Sequence, residues 1–231
     1  MNTVVLIPAL NEECAIRDVI FAIQHLGKQN ITHIIVCNNG STDKTARISR
    51  EAGATVVEEA RKGYGFACLK GMAFLEALPI AAQPDIVVFM DGDFSDYPEQ
   101  LPQLTDLIEQ GKVDFVIGSR VARASAGALT LPQQFGNWLA TQLIHAIYGV
   151  RFSDLGPFRA IRWQALRKLE MQDKTFGWTV EMQVKAAKQG LRCAEVAVDY
   201  RPRIGVSKVS GTVRGSVMAG YKILTTIFKL Y

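Results

Sequence analysis

The stretch Ile86-Val87-Val88-Phe89-Met90-Asp91-Gly92-Asp93 constrains this chain more than any other. Five consecutive apolar residues, most of them β-branched, describe a strand buried on both faces, and such a strand needs helices above and below its sheet. The strand then runs directly into two carboxylates separated by one glycine. In open α/β sheets ligands gather at the carboxyl ends of the strands, and Asp at i and i+2 about a glycine can hold one divalent cation through hard oxygens. The same residues equally describe a strand followed by an Asp-Gly turn. What the rest of the chain brings to that sheet edge must decide between the two.

Short apolar runs and helical periods alternate around this strand. Thr3 to Ile7 is a β-branched run that Pro8 should stop. The next helix places Ile16, Val19, Ile20 and Ile23 on one face, with Gly27 past its end. His33 to Cys37 reads as a second strand and Asn38-Asn39-Gly40-Ser41-Thr42-Asp43 as the turn after it. Ser41 or Thr42 is placed to cap a helix that ends near Gly53. Thr55 to Glu58 is a third strand, followed by the basic Arg61-Lys62-Gly63-Tyr64-Gly65 and a helix through Leu78. After the opening strand, Pro98 starts a helix to Gln110, and Asp114 to Gly118 is a fifth strand. The alternation predicts an α/β fold with a doubly wound, mostly parallel sheet over roughly the first 120 residues.

Beyond Arg120 the pattern changes. Residues 121–133 are small, polar and basic and read as a mobile loop, a candidate lid. Phe135 to Tyr148 is a helix, Ser153-Asp154-Leu155-Gly156-Pro157 a loop, and Phe158 to Ile161 a strand. Thr179 to Gln189 is helical and Cys193 to Tyr200 extended. The basic, turn-rich Arg201 to Lys208 leads into a last helix from about Val213, with Val217, Tyr221, Leu224, Ile227 and Phe228 at helical spacing and Arg214, Lys222 and Lys229 elsewhere. No linker interrupts the chain, so residues 1–231 should form one domain, with 1–120 and 121–231 as its two halves.

Composition excludes several classes. A net charge of +4 over 231 residues is too mild for a typical nucleic-acid binder but suits an anionic substrate or an anionic membrane surface. Cys14, Cys37, Cys68 and Cys193 lie far apart with no histidine at ligand spacing, which argues against a zinc site or a disulfide framework and for a reducing, cytoplasmic setting. The N-terminus lacks a basic stretch and soon meets Glu12 and Glu13, so no signal peptide is expected, and no apolar run is long enough to span a bilayer. His25, His33 and His145 are isolated and read as structural or exposed. The last helix, amphipathic with basic flanks, is an expected peripheral contact to the cytoplasmic face of a membrane.

A sheet with its loops at one edge brings together Pro8 to Glu12, Asn38 to Asp43, Lys62 and the paired acids. Open carbonyls and polar side chains suit a base and ribose, a lysine suits a phosphate, and Asp91 with Asp93 suits Mg²⁺ or Mn²⁺ against a diphosphate. No Gly-x-x-x-x-Gly-Lys-Ser/Thr occurs, and the first strand is followed by Pro-Ala-Leu-Asn-Glu-Glu rather than by glycines. A metal-held diphosphate therefore fits better than a phosphate-binding loop.

Ile-Pro-Ala-Leu-Asn-Glu-Glu, Asn-Asn-Gly-Ser-Thr-Asp-Lys-Thr, Met-Asp-Gly-Asp and the late Arg-x-Gly-x-Ser-Lys, in that order, resemble the family 2 glycosyltransferases of the GT-A fold. Within these the chain most resembles the dolichol- and polyprenol-phosphate mannosyl- or glucosyltransferases. The resemblance implies a nucleotide-sugar donor, a divalent cation held by Asp91 and Asp93, and inversion at the anomeric carbon. It places Pro8, Ala9, Asn11, Glu12, Asn38, Asn39, Asp43, Lys62 and Asp91-Gly92-Asp93 at the donor. It places Arg120, Arg159, Arg203, Ser207 and Lys208 at the acceptor. The family usually carries Asp-Asp where this chain has Asn38-Asn39, so the bond to the base would lose its charge assistance, leaving GDP-mannose and UDP-glucose both open as donors. Ser95 or Asp96 would replace a metal-side glutamine.

The acceptor sets the mechanism. A phosphate monoester is already ionised at neutral pH and needs only positioning and charge screening, whereas an alcohol needs a general base, for which Asp154 or Glu181 are the candidates. Catalysis would then rest on Asp91, Asp93, Arg120, Asp154, Arg203 and Lys208. Several of these candidates have a plainer alternative: Arg203 and Lys208 as a solvated loop, Glu181 as a helix cap or salt bridge, Asp154 as a cap or Asx-turn before Gly156. A soluble phosphorylated acid or sugar as acceptor, or a protein that holds a nucleotide sugar without turning it over, are the competing functions.

Overall fold

The computed structural model describes residues 1–27, 31–205 and 213–231, of which 213–217 and 219 through the backbone alone. Seven strands form one sheet: β1 (Thr3–Ala9), β2 (Ile31–Asn38), β3 (Thr55–Glu58), β4 (Ile86–Phe89), β5 (Phe115–Ser119), β6 (Arg159–Arg162) and β7 (Cys193–Ala197). Their order is β3-β2-β1-β4-β6-β5-β7. All pairings are parallel except those of β6, which lies antiparallel between β4 and β5. The chain winds outward from β1 through β2 to β3, then returns to place β4 on the other side of β1. The crevice at the carboxyl ends of β1 and β4 is therefore the topological switch point, the place where an open α/β sheet binds ligands.

The alternation of side chains along each strand divides the core into two layers. Val5, Ile7, Val36, Val88 and Met90 pack against Ile16, Val19, Ile20 and Ile23 of α1 (Ile16–Gln24) and Leu101, Leu104 and Ile108 of α4 (Leu101–Glu109). Val4, Leu6, Ile35, Cys37, Val87 and Phe89 pack on the other face. There they meet α3 (Tyr64–Glu76) and α7 (Trp178–Lys188), with Ala140 and Ile144 of α5 (Leu131–Tyr148) and Ile227 of α8 (Val213–Lys229) in the same layer. The shorter α2 (Thr45–Glu51) and α6 (Trp163–Lys168) complete the helices.

Some boundaries differ from the sequence expectation for identifiable reasons. Pro8 does not stop β1: it stays in register opposite Cys37. Leu6 O accepts from Met90 N on the β4 side, and Pro8, two residues on, addresses that same side. Because β4 ends at Phe89, the missing N–H breaks no ladder bond. Helix α5 begins four residues before Phe135 because Thr130 and Gln133 form a reciprocal capping box. Asp43, not Ser41 or Thr42, serves the start of α2, its Oδ1 accepting from Thr45 N at 2.9 Å. The extended run after Cys193 leaves the sheet at Ala197, and Tyr200 bridges separately to Asp96 and Ala124. The loop 121–130 is fastened there too, with Ser125 N donating to Tyr200 O at 2.7 Å.

The start of α3 is pressed against residues 173–174, with Phe66 N donating to Lys174 O at 3.1 Å. A Cβ at Gly65 would overlap the Asp173 carbonyl, which is backbone and cannot swing away. Gly65→Ala is expected to destabilise the protein by about 2–3 kcal/mol through overpacking, read as a lower urea midpoint. An unchanged midpoint would show that the two segments are free to separate.

Candidate active site

A cleft of about 880 Å³ opens at the switch point. The ends of β1 and β4 supply Pro8, Ala9 and Glu12 and Asp91 to Asp93; Lys62, Gly63 and Tyr64 line one wall, and Arg120, Tyr200 and Arg203 another. Position 92 is tightly packed from beneath, since a Cβ there would meet the Ile16 and Ile7 side chains at 3.2 and 3.3 Å.

Three carboxylates crowd the loop after β4. Asp93 is buried, and its Oδ1 accepts from Ser95 N at 3.0 Å and Ser95 Oγ at 2.5 Å. Its Oδ2 lies 3.2 Å from Arg203 Nη2, which also donates to Glu12 Oε1 at 2.9 Å. Asp96 is fully buried; its Oδ2 accepts from Asp91 N at 3.3 Å and its Oδ1 has no partner within the protein. Burial, reinforced by the neighbouring acids, pushes both Asp91 and Asp96 well above the usual carboxylate range. Arg201 clamps the loop from outside, its guanidinium 3.7 Å from the Phe94 ring and 4.1 Å from the Tyr97 ring, with Nε donating to Phe94 O at 2.6 Å. Phe94 itself is held at φ +62°.

This donor set fits a hard divalent cation. Asp91 and Asp93 both face the cleft, and their mutual repulsion is relieved by positive charge. Among the described residues no three Asp, Glu, His or Cys side chains form a complete cage, so a cation here would share its remaining positions with oxygens of a bound ligand.

Arg120 follows the end of β5 and is fixed by Asp154. Backbone N and Nε of Arg120 both donate to Asp154 Oδ2 at 2.8 Å, and Nη2 to Oδ1 at 2.8 Å. Burial raises the Asp154 carboxyl, but the charge and hydrogen bonds of Arg120 outweigh it and hold the group below the usual range. Tyr200 covers the guanidinium, its ring 4.9 Å away. Asp154 is thus locked as an acceptor in a buried pair and is not placed to take a proton from an alcohol.

Other expected residues are placed differently. Asn39 lines the cleft but spends its side chain internally, Oδ1 accepting from Gly63 N and Nδ2 donating to Arg61 O, both at 2.7 Å. Asn38 donates to Glu58 Oε2 at 2.6 Å, while its buried Oδ1 has no partner within the protein. Asp43 holds Thr45 and the Glu13 N–H, and Asn11 Oδ1 accepts from Thr42 N at 2.8 Å; both brace loops and neither lines the cleft. Arg159, expected at the acceptor, is instead fully buried beneath the cleft, donating to the carbonyls of Leu155, Gly156 and Thr179. Burial lowers it to about 10. Glu181, the other candidate base, accepts from Gln172 N and Asp173 N and pairs with Lys185 at 2.8 Å. Ser207 and Lys208 lie outside the described residues.

Sequence reasoning missed Tyr64, Trp178, Thr179 and Tyr200, which line the cleft. The Tyr64 hydroxyl and Trp178 Nε1 are buried without a partner in the protein. Tyr64 and Trp178 each begin a helix, where an aromatic residue is more often core than cleft. A second, larger cleft of about 1110 Å³ adjoins the first, sharing Arg120, Gly127, Gln133, Leu155 and Thr179 with it, and runs between α5, Ile223 of α8 and the loop 121–129.

Comparison with known proteins gives these features a context. A family model described as glycosyl transferase family 2 matches residues 4–170. An uncharacterized glycosyltransferase of Mycobacterium tuberculosis is 36% identical over 218 residues, covering 93% of each chain. A dolichyl-phosphate hexose transferase of Haloferax volcanii is 33% identical over 211 residues, covering 90% of this chain and 86% of that one. Among solved structures, glucosyl-3-phosphoglycerate synthase from Mycobacterium tuberculosis, in complex with Mn²⁺, UDP and glucosyl-3-phosphoglycerate, superposes with a TM-score of 0.77 at 23% identity. That match covers 99% of this chain and 79% of the other.

Proposed function

The chain belongs to glycosyl transferase family 2, with the GT-A fold, and from that membership we propose that it moves a hexose from a nucleotide sugar to a polyprenyl phosphate, with inversion. The observation that carries this is the pairing of the two clefts at Arg120. One cleft holds Asp91 and Asp93, and the other, with Leu129, Trp138, Phe152 and Ile223 among its lining, shares the same Arg120. The 33% identity to a dolichyl-phosphate hexose transferase supports it.

In this reading the donor lies across Pro8, Ala9, Glu12 and Lys62. Asn38 Oδ1 is a buried, unfilled acceptor beside Asn39, which lines the cleft, and a ring N–H of either uracil or guanine would suit it. Asp91 and Asp93 would hold Mg²⁺ or Mn²⁺, which when bound stabilises negative charge on the departing diphosphate. Arg120 and Arg203 flank the acids and position the acceptor phosphate, whose ionised oxygen attacks the anomeric carbon on the face opposite the leaving group. No general base is needed, which agrees with Asp154 and Glu181 being tied in internal pairs. A soluble phosphorylated acceptor is the second reading, favoured by the likeness to the phosphoglycerate enzyme. Both share an anionic phosphate at Arg120.

The test is a thermal-shift screen of GDP- and UDP-sugars with Mn²⁺, followed by transfer to a short-chain polyprenyl phosphate and to a panel of soluble phosphorylated acids. Transfer to the soluble acids alone would replace the first reading with the second. Arg203→Ala is expected to raise the acceptor KM by about tenfold or more, the loss of one charge-assisted contact, with a smaller change in donor affinity. Equal losses would move Arg203 to the donor side.

A further inference from the structure

In the body of this protein, Trp163 and Tyr148 hide an aromatic ring and satisfy its polar tip. Trp163 is 3% exposed and its Nε1 donates to Gln83 Oε1 at 3.0 Å. Tyr148 Oη donates to Ile227 O at 2.7 Å. Tyr64 Oη and Trp178 Nε1 depart from this pattern, each buried with no partner within the protein. An unpaired buried donor is costly, and both of these side chains line the cleft that holds Asp91 and Asp93. Their placement is fixed from behind. Tyr64 begins α3 and Trp178 begins α7, and the two helix starts are tied through Phe66 N, which donates to Lys174 O at 3.1 Å. The Trp178 ring stands edge-on to Phe89 at the end of β4, with centroids 5.9 Å apart and planes at 63°. Burial first, then the charge of Asp91, holds the Tyr64 hydroxyl well above the usual phenol range, so it keeps its proton. The indole Nε1 can only donate. The cleft thus offers two neutral donors on rigid elements, chemistry that suits hydroxyl oxygens, whereas phosphate or carboxylate is better met by charged groups.

We propose that Tyr64 and Trp178 are the residues that select the transferred hexose, their Oη and Nε1 donating to hydroxyls of its ring. The inference rests on the glycosyl-transfer reading and adds to it the side chains that tell one sugar from another. In that reading the anomeric carbon lies between a diphosphate at Asp91 and Asp93 and an acceptor phosphate at Arg120. Tyr64 and Trp178 line the same cleft as these three residues. A site built to hydrogen-bond a hydroxyl rejects an analogue that lacks it, because the buried groups of the site are then left unpaired. Selection of the sugar is thereby separated from selection of the base, which falls to the loop around Asn38 and Asn39 on the other side of the diphosphate.

The test is calorimetric and needs no turnover. The intact protein with Mn²⁺ is titrated with UDP-glucose and GDP-mannose, and with UDP and GDP alone. Tyr64→Phe is expected to weaken binding of the nucleotide sugar by about three- to tenfold, the loss of one neutral hydrogen bond, and to leave binding of the nucleoside diphosphate unchanged. Its melting temperature should stay level or rise, because the substitution deletes a buried hydroxyl that has no partner in the protein. Trp178→Phe should show the same split in binding, with a lower melting temperature for the space left by the smaller ring. Monodeoxy analogues of the bound sugar supply a readout that a merely structural role cannot move. The unmodified protein should bind one analogue more weakly than the parent by a similar factor, and Tyr64→Phe should bind the two alike. Equal losses for nucleotide sugar and nucleoside diphosphate overturn the assignment, as does a Tyr64→Phe variant that still discriminates among the analogues as the unmodified protein does. Failure of the underlying reading looks different: neither donor then binds the unmodified protein, and the assignment falls with it.

Discussion

Asp93→Ala is expected to lower hexosyl transfer by at least about 10³-fold, the scale set by removing preorganised charge stabilisation from a leaving group, while the protein stays folded. The folded structure tolerates the change because Arg203 retains Glu12 at 2.9 Å when Asp93 is gone. Crowding with Asp91 and Asp96 is relieved at the same time. The clear structural loss is the pair of hydrogen bonds from Ser95, worth about 1–2 kcal/mol in total. Asp93→Asn sharpens the test. It keeps an oxygen for Ser95 and removes the charge, so it should recover most of the melting temperature and little of the activity. Titration with Mn²⁺ followed by calorimetry provides a readout independent of turnover, and both variants should bind the ion at least about tenfold more weakly for the loss of one carboxylate ligand. Full activity of the unmodified protein in EDTA, or an active Asp93→Asn, would remove the metal from this loop.

The parts of the site that were legible in the sequence are those whose backbone context is itself a pattern. Ile86 to Met90 reads as a strand with helices on both sides because every residue of it is apolar; Ile86–Phe89 is that strand, and Met90 just beyond it is buried. Its acids fall at a sheet edge because strands end where apolar runs end. Order in the sheet is less visible. Nothing in Phe158 to Ile161 says that it inserts antiparallel between β4 and β5, since that depends on a gap left by the α4 crossover. Charge type is visible and burial is not, which is why Arg120 and Arg159 look equivalent in sequence. One reaches the cleft, whereas the other hydrogen-bonds three carbonyls beneath it. Short polar turns mislead for a related reason. Asn39, Asp43 and Asn11 have the chemistry to bind a nucleotide, yet each is first needed by a loop that must satisfy its own backbone N–H groups and carbonyls. Tyr64 and Trp178 lacked any signal because an aromatic residue at a helix start is far more often core than cleft.

Asp154→Asn is expected to cost about 3–5 kcal/mol of stability, the usual penalty for leaving one member of a buried ion pair uncompensated. Both partners are deeply placed, with side-chain exposures of 13% for Arg120 and 1% for Asp154, and three hydrogen bonds join them. The pH dependence has a definite sign. Because Arg120 holds the Asp154 carboxyl below its unfolded value, the pair contributes fully above that value, about 3.9, and its contribution disappears as pH falls through the lower folded value. Asp154→Asn should therefore flatten the acid limb of the stability profile and leave the neutral-to-alkaline limb displaced downward by a constant amount. Joining it to Arg120→Met should restore part of the stability, since an apolar pair of similar volume escapes the desolvation penalty, and should not restore activity. This combination separates an anchor from a base. If Asp154 were the base, the single substitution would lower kcat with little change in stability or in acceptor KM, and the double-mutant cycle in urea would return a coupling near zero. If it positions Arg120, acceptor KM rises in the single variant, the coupling is about 2 kcal/mol or more, and the acid limb changes shape.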